Sequence, residues 1–183
     1  MTDSIGSIAQ LFVAQSRALL RDEYPTKLRK ALDALPEGAL WWRPDERSNS
    51  IGNLLMHLEG NVRQWIVGGV GFQQVERDRA GEFAAREGAS LASLWERLNR
   101  TLQDADNVIA EIRPADLSAR RTIQGRDTTV LEAVYHVVEH FGMHAGQIIL
   151  LAKQLAPGAI RFYEDSGGLA RPLWKEGAEK FTE

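Results

Sequence analysis

The stretch Thr129–Leu155, TVLEAVYHVVEHFGMHAGQIILLAKQL, constrains the chain more than any other. It contains no proline, and Thr129 with Glu132 has the form of a capping box, a hydroxyl at the N-cap and Glu at N3, just ahead of an apolar run. The next stop is Ala156-Pro157-Gly158, so the spacing predicts one long helix. Three of the four histidines lie on it, His136, His140 and His144. At about 100° per residue, with His140 at zero, His144 falls near 40° beside Leu151, Val137, Ile148 and Phe141. His136 falls near −40°, on the border with water, alongside Glu132 and Gln154. Residues four apart are stacked about 6 Å along the axis, which suits two imidazoles reaching one metal at about 2.0–2.1 Å. His136 and His144 are about 12 Å apart and cannot share an ion. Burial favours the pair His140 and His144.

Other helices surround this one. Residues from about Thr2 to Leu35 carry apolar side chains at spacings of three and four, and Pro25 predicts a kink or break near Glu23-Tyr24. In the loop ALWWRPDERSNS, Trp41 and Trp42 are expected to be anchored, plugging one end of the core in preference to lining a pocket. Asn49 or Ser50 then caps SIGNLLMHLEGNVRQWIVGG, which Gly68-Gly69 should end. His57 sits at the rim of that helix's apolar stripe, with Asn53, Asn61 and Gln64 on the same rim. The mixed-charge connector QQVERDRAGEFAAREGA reads as loop or partly helical surface. Ser90 opens a third apolar-striped helix to about Ile112, and RTIQ in the next connector reads as a short extended piece. Long helices without evident strands imply an all-α fold, a four-helix bundle over about residues 5–155 with an irregular C-terminal extension over 156–183. The whole, 1–183, reads as one domain.

Composition narrows the function. The net charge is −3 and neither sign forms a long block, so the basic footprint of nucleic-acid binding is absent. No apolar run approaches the ~20 residues of a membrane span, and MTDSIGS lacks the pattern of a signal peptide, which makes the cytoplasm the default location. There is no cysteine, so disulfides, thiolate metal sites and a cysteine nucleophile are excluded. Any metal must be held by nitrogen and oxygen, and any thiol must come from a substrate. No HExxH occurs, and no Glu stands three residues before a histidine, which removes the zincin and bundle di-iron arrangements. No Ser sits in a GxSxG elbow.

One histidine in the second long helix, with H-x-x-x-H followed by A-G-Q-I in the last, resembles the DinB/YfiT-like superfamily. SIGNLLMHLEGNVRQWI and ERDRAGEF are similar to a branch known only as a domain of unknown function. The likeness spans about residues 5–155. It implies a four-helix bundle with a divalent metal on His57, His140 and His144, and frequent homodimers. Some relatives are metal-dependent transferases or isomerases that use a low-molecular-weight thiol.

Three neutral imidazoles would leave a cation its full charge and an open position, the ligand count of catalytic zinc. Zinc is the default, with nickel, iron or manganese not separated by ligand type. Asn61 and Gln147 are the best candidates to orient the imidazoles from behind, ahead of Asn53, Gln64, Glu59 and Glu139. Arg77, Asp78, Arg79 and Glu82, in the connector, read as surface salt bridging. Gly142 and Gly146, flanked by Val138 and Ile149, give a small-residue outer face open to a second subunit or to the C-terminal tail. The reading is a divalent-metal-dependent enzyme acting on a small molecule, a thiol-dependent transferase with a small electrophile. The alternative is a non-catalytic metal-binding or stress-related dimeric bundle.

Overall fold

Three hydroxyl caps start the principal helices. In the computed structural model, which describes residues 2–174, Thr129 Oγ1 accepts from Glu132 N at 3.2 Å while Glu132 Oε2 accepts from Thr129 N at 2.7 Å. Ser50 Oγ accepts from Asn53 N at 3.2 Å, and Asn53 Oδ1 returns the bond to Ser50 N at 3.0 Å. Ser90 Oγ accepts from Ser93 N at 3.2 Å. Each side chain satisfies a backbone donor that the first helical turn leaves free.

The helices are α1 (Thr2–Ala18), α2 (Tyr24–Leu32), α3 (Ile51–Val62), the short α4 (Arg79–Ala84), α5 (Leu91–Ala110) and α6 (Val130–Leu155). Pro25 does not break the first element. A π-helical segment, Leu19–Glu23, carries the chain from α1 into α2, and Pro25 follows directly after this wider turn, the kind of local adjustment that accommodates a proline within a continuing helix. Gly68-Gly69 likewise fail to stop α3, which continues as a second π-helical segment, Arg63–Val70, to Gly71.

The protein is predominantly helical but not purely so. β1 (Arg120–Ile123) pairs antiparallel with β2 (Arg126–Thr129). Gln124 and Gly125 both have positive φ (55° and 72°), as the twist of a two-residue hairpin requires. RTIQ is therefore one arm of a hairpin. The C-terminal extension, expected to be irregular, contains another, β3 (Tyr163–Ser166) with β4 (Leu169–Pro172), joined at Gly167-Gly168. Lys30 Nζ donates to Leu173 O at 3.0 Å and Lys27 lies over the Trp174 ring, which ties the extension to α2. Residues 175–183 of that extension lie outside the described residues.

α3 packs on α5 and α6, α2 on α6, and α1 on α5. Leu54 and Leu58 of α3, Leu98 and Leu102 of α5, and Val137, Phe141 and Ile148 of α6 meet in one core cluster. Burying each such side chain contributes about 1.5–3 kcal/mol. Trp41 packs against Gly52 and donates from Nε1 to Ala89 O at 3.1 Å, whereas Trp42 is 42% exposed, against the expectation that both are anchored. Tyr24 stacks on Phe141 and covers Gly142, so α2 itself closes part of the small-residue face of α6, while Gly146 stays open. Among the described residues no helix is long and apolar enough to cross a membrane.

Candidate metal centre

Because α3 and α6 pack side by side, the rims of their apolar stripes face each other. His57 comes from α3, His140 and His144 from α6. The ring centroids are 4.9 Å apart for His57 and His140, 5.0 Å for His57 and His144, and 4.4 Å for His140 and His144. Each offers one ring nitrogen within 4.8 Å of the others. His57 is 4% exposed and His144 9%, while His140 is partly exposed, so the cluster sits at the edge of the core.

Hydrogen bonds to oxygen orient two of the rings. His57 Nδ1 stands 2.9 Å from Glu82 Oε2, and His144 Nδ1 stands 2.6 Å from Gln147 Oε1. A carboxylate oxygen and an amide oxygen only accept, so both Nδ1 atoms carry the proton and both Nε2 atoms keep their lone pairs. His57 Nε2 and His140 Nε2 then face each other at 3.1 Å. Without a cation, His140 Nε2–H donates across that gap. With bonds of about 2.0–2.1 Å, a cation between two nitrogens at that spacing would subtend about 95–100°, within the range of real coordination. That pair therefore fits a divalent ion as it stands, and His144 offers the third nitrogen within the 4.8 Å span of the three. His140 Nδ1 is buried without a hydrogen-bond partner.

Electrostatics agree. Burial, reinforced by His144, His57, His136 and Arg77, pushes His140 down to about 3. Burial likewise holds His144 below the usual imidazole range, against the pull of Gln147. Both are neutral at pH 7, the form that binds a metal.

His136, one turn before His140, is not in the group. Its ring lies 4.2 Å from Trp65 and 5.4 Å from His140, and burial lowers its pKa. Asn61 turns its amide nitrogen to His136 Nε2 at 3.4 Å, while its Oδ1 is buried without a partner. Glu59 is engaged elsewhere, with Arg63, Arg97 and Thr101, and Glu139 is exposed.

The connector corrects its sequence reading. Arg77 and Glu82 are not surface residues: their side chains are 5% and 8% exposed. Arg77 Nε donates to Glu82 Oε1 at 2.6 Å and Nη2 to Oε2 at 2.8 Å, a two-pronged pair behind His57. Burial works against ionisation of Glu82, but the bonds from Arg77 and His57 outweigh it and the pKa is lowered. Gln64 accepts from Arg77 Nη1 at 2.9 Å and also meets Gln124 of the β1–β2 turn. Asn53 Nδ2 donates to Glu82 O at 2.8 Å and Ala85 O at 2.9 Å. Phe83 packs its ring 4.6 Å from His57. Asp78 and Arg79 do remain outside, the first capping α4 and the second lying over Phe83.

A family model described as a protein of unknown function (DUF1572) matches residues 7–162. The chain belongs to that family. No curated protein matches it. The matched span of this DUF1572 member holds all of α3, α4 and α6, hence every residue of the histidine cluster and of the Arg77–Glu82 pair.

Proposed function

We propose that the protein binds one divalent cation, zinc by default, through His57, His140 and His144, and uses it in catalysis on a small molecule. The observation that carries this reading is the 3.1 Å approach of His57 Nε2 and His140 Nε2, with the Nδ1 protons of His57 and His144 directed to oxygen acceptors. With both Nδ1 protons turned outward, the lone pairs of His57 Nε2 and His144 Nε2 are left for a cation, and His140 Nε2 becomes a third donor once its proton is released.

A three-histidine ion supplies Lewis acidity, lowers the pKa of a bound water or thiol, and keeps a position open. Around it the chain's own residues have separate tasks. Glu82 and Gln147 hold the imidazoles, Phe83 shields His57 from water, and His136 with Asn61 offers polar atoms beside the cluster. The resemblance to the DinB/YfiT-like superfamily supports a four-helix bundle, a homodimer, and a thiol-dependent transferase acting on a small electrophile. A non-catalytic metal-binding dimer has the same ligand set and differs only in turnover.

Metal analysis of untagged protein should find one ion per chain, and His57→Ala, His140→Ala and His144→Ala should each lose it. Full occupancy in His57→Ala would rule out this ligand set. Screening the loaded protein against paired thiols and electrophiles then distinguishes enzyme from binder, and light scattering tests for twice the 20.4 kDa chain mass.

A further inference from the structure

We infer that Glu82, locked by Arg77 over the bare backbone of Gly60, is the positioning residue that presents His57 Nε2 to the cation. The inference rests on the metal reading above, but its geometry stands independently.

Glu82 Oε2 faces His57 Nδ1 at 2.9 Å and, being an acceptor only, commits the proton to that nitrogen. Arg77 holds both oxygens of the same carboxylate at 2.6 and 2.8 Å. Its Nη2 also lies 3.1 Å from His57 Nδ1, so guanidinium and imidazole share one oxygen as neighbouring donors. Gly60, on α3 three residues after His57, leaves the space for this pair. A Cβ built there would overlap Glu82 Oε1 and stand 2.8 Å from Arg77 Nε. Asn53, one turn before His57, fastens the backbone of the same segment through Glu82 O and Ala85 O. Two points of α3 thus grip the connector, and the carboxylate is delivered between them.

Stability alone does not account for this arrangement. A buried ion pair seldom stabilises a fold more than apolar residues of the same volume would. A carboxylate on the outer nitrogen of a ligand imidazole, by contrast, fixes the tautomer and raises the ligand's basicity, and losing it typically weakens metal binding about 10–100-fold. Arg77 compensates the carboxylate charge, so the site gains orientation without a net negative charge beside the ion.

The test uses the full-length chain with ¹⁵N-labelled histidine. Long-range ¹H–¹⁵N correlation of the metal-free protein reads the His57 tautomer, and zinc titration against a competing chelator reads affinity. Three variants isolate the clamp: Glu82→Gln, the double change Arg77→Met with Glu82→Leu, and Gly60→Ala. The double change leaves no buried charge unpaired, and Gly60→Ala retains both charged groups but displaces them. In wild type His57 should be protonated at Nδ1. The double variant and Gly60→Ala should lose that preference and bind zinc about 10–100-fold more weakly. Glu82→Gln, whose amide oxygen still accepts, should fall between. An unchanged His57 tautomer with zinc affinity within about twofold of wild type in both the double variant and Gly60→Ala, folded by circular dichroism, would overturn the assignment. A wild type that takes up no zinc would sink the metal reading alone, and the tautomer would then decide separately whether Glu82 holds His57.

Discussion

Helices α3 and α5 pack against each other, yet they are buried on opposite terms. α5 is two-sided: Leu94, Leu98, Leu102, Ala105 and Ile109 face inward, and its outer face carries exposed charges such as Glu96 and Arg100. Every residue of α3 except Met56 is buried, although four of them, Asn53, His57, Glu59 and Asn61, are polar or charged. Apolar area chiefly settles where α5 lies, with Thr101 its one buried polar side chain. For α3, each buried polar group needs a partner, because leaving one unpaired costs about 1–3 kcal/mol or more. Those partners come from Glu82, Thr101 and His136, far along the chain. A helix of the first kind is placed mainly by packing, whereas one of the second kind depends on specific polar partners from elsewhere in the chain.

The sharpest way to break this contrast is to strand a charge behind α3. Arg77→Met leaves Glu82 buried without its counter-ion and should cost about 3–5 kcal/mol in urea unfolding, most of it recovered when Glu82→Leu is added. On α5, Leu98→Ala should cost a similar or slightly smaller 2–5 kcal/mol from the cavity it opens, with no rescue and no change in zinc affinity. If Arg77→Met cost less than an ordinary surface change, α3 would not depend on its polar partners as described.

A smaller effect should follow pH. In the metal-free protein His140 titrates at about 3, while an unfolded histidine titrates near 6.5, so the folded state binds fewer protons over that window. The corresponding stability is fully present above about pH 6.5 and is lost as pH falls toward 3. Allowing for solvent screening of a partly exposed ring, the loss should reach about 1–2 kcal/mol by pH 4.5. His140→Phe should flatten this slope in unfolding curves, whereas Leu98→Ala should shift them without changing their slope.

The smallest contrast is between caps. Ser50 is fully buried and shares Asn53 with the connector, whereas the Ser90 cap bond is exposed. Ser50→Ala should therefore cost about 1–2 kcal/mol and Ser90→Ala about 0.5–1 kcal/mol by thermal unfolding. Equal costs would show that the buried box contributes nothing beyond a simple cap.

Much of the helical frame was legible because its signals are local. Thr129 with Glu132, and Ser50 and Ser90 ahead of apolar runs, state where helices begin within a single turn. The spacing of His140 and His144, and the place of His57 on its stripe, needed only helical periodicity. The ends were harder to read. Pro25 reads as a kink or break and Gly68-Gly69 as a stop, but π-helical turns carry the helix past both. The β1–β2 hairpin was half visible in RTIQ, but Gln124 at positive φ gave no strong turn signal. Trp42 was expected inside because tryptophan usually is, and it is not.

Arg77 and Glu82 illustrate a different loss. Both stand in a mixed-charge connector, which in a sequence ordinarily means solvated surface. Their burial depends on Gly60 being small and on Asn53 catching two carbonyls, contacts made across 17 to 32 positions of chain. By itself the sequence determined which residues form helices, which faces of those helices are apolar, and that three histidines stand at the rims, since each follows from interactions within about one or two turns. Only the tertiary structure decided that the rims meet, that His57 turns Nε2 inward, and that a charged loop folds under the surface to hold it there. Those outcomes depend on partners brought together by packing, and no local spacing encodes them.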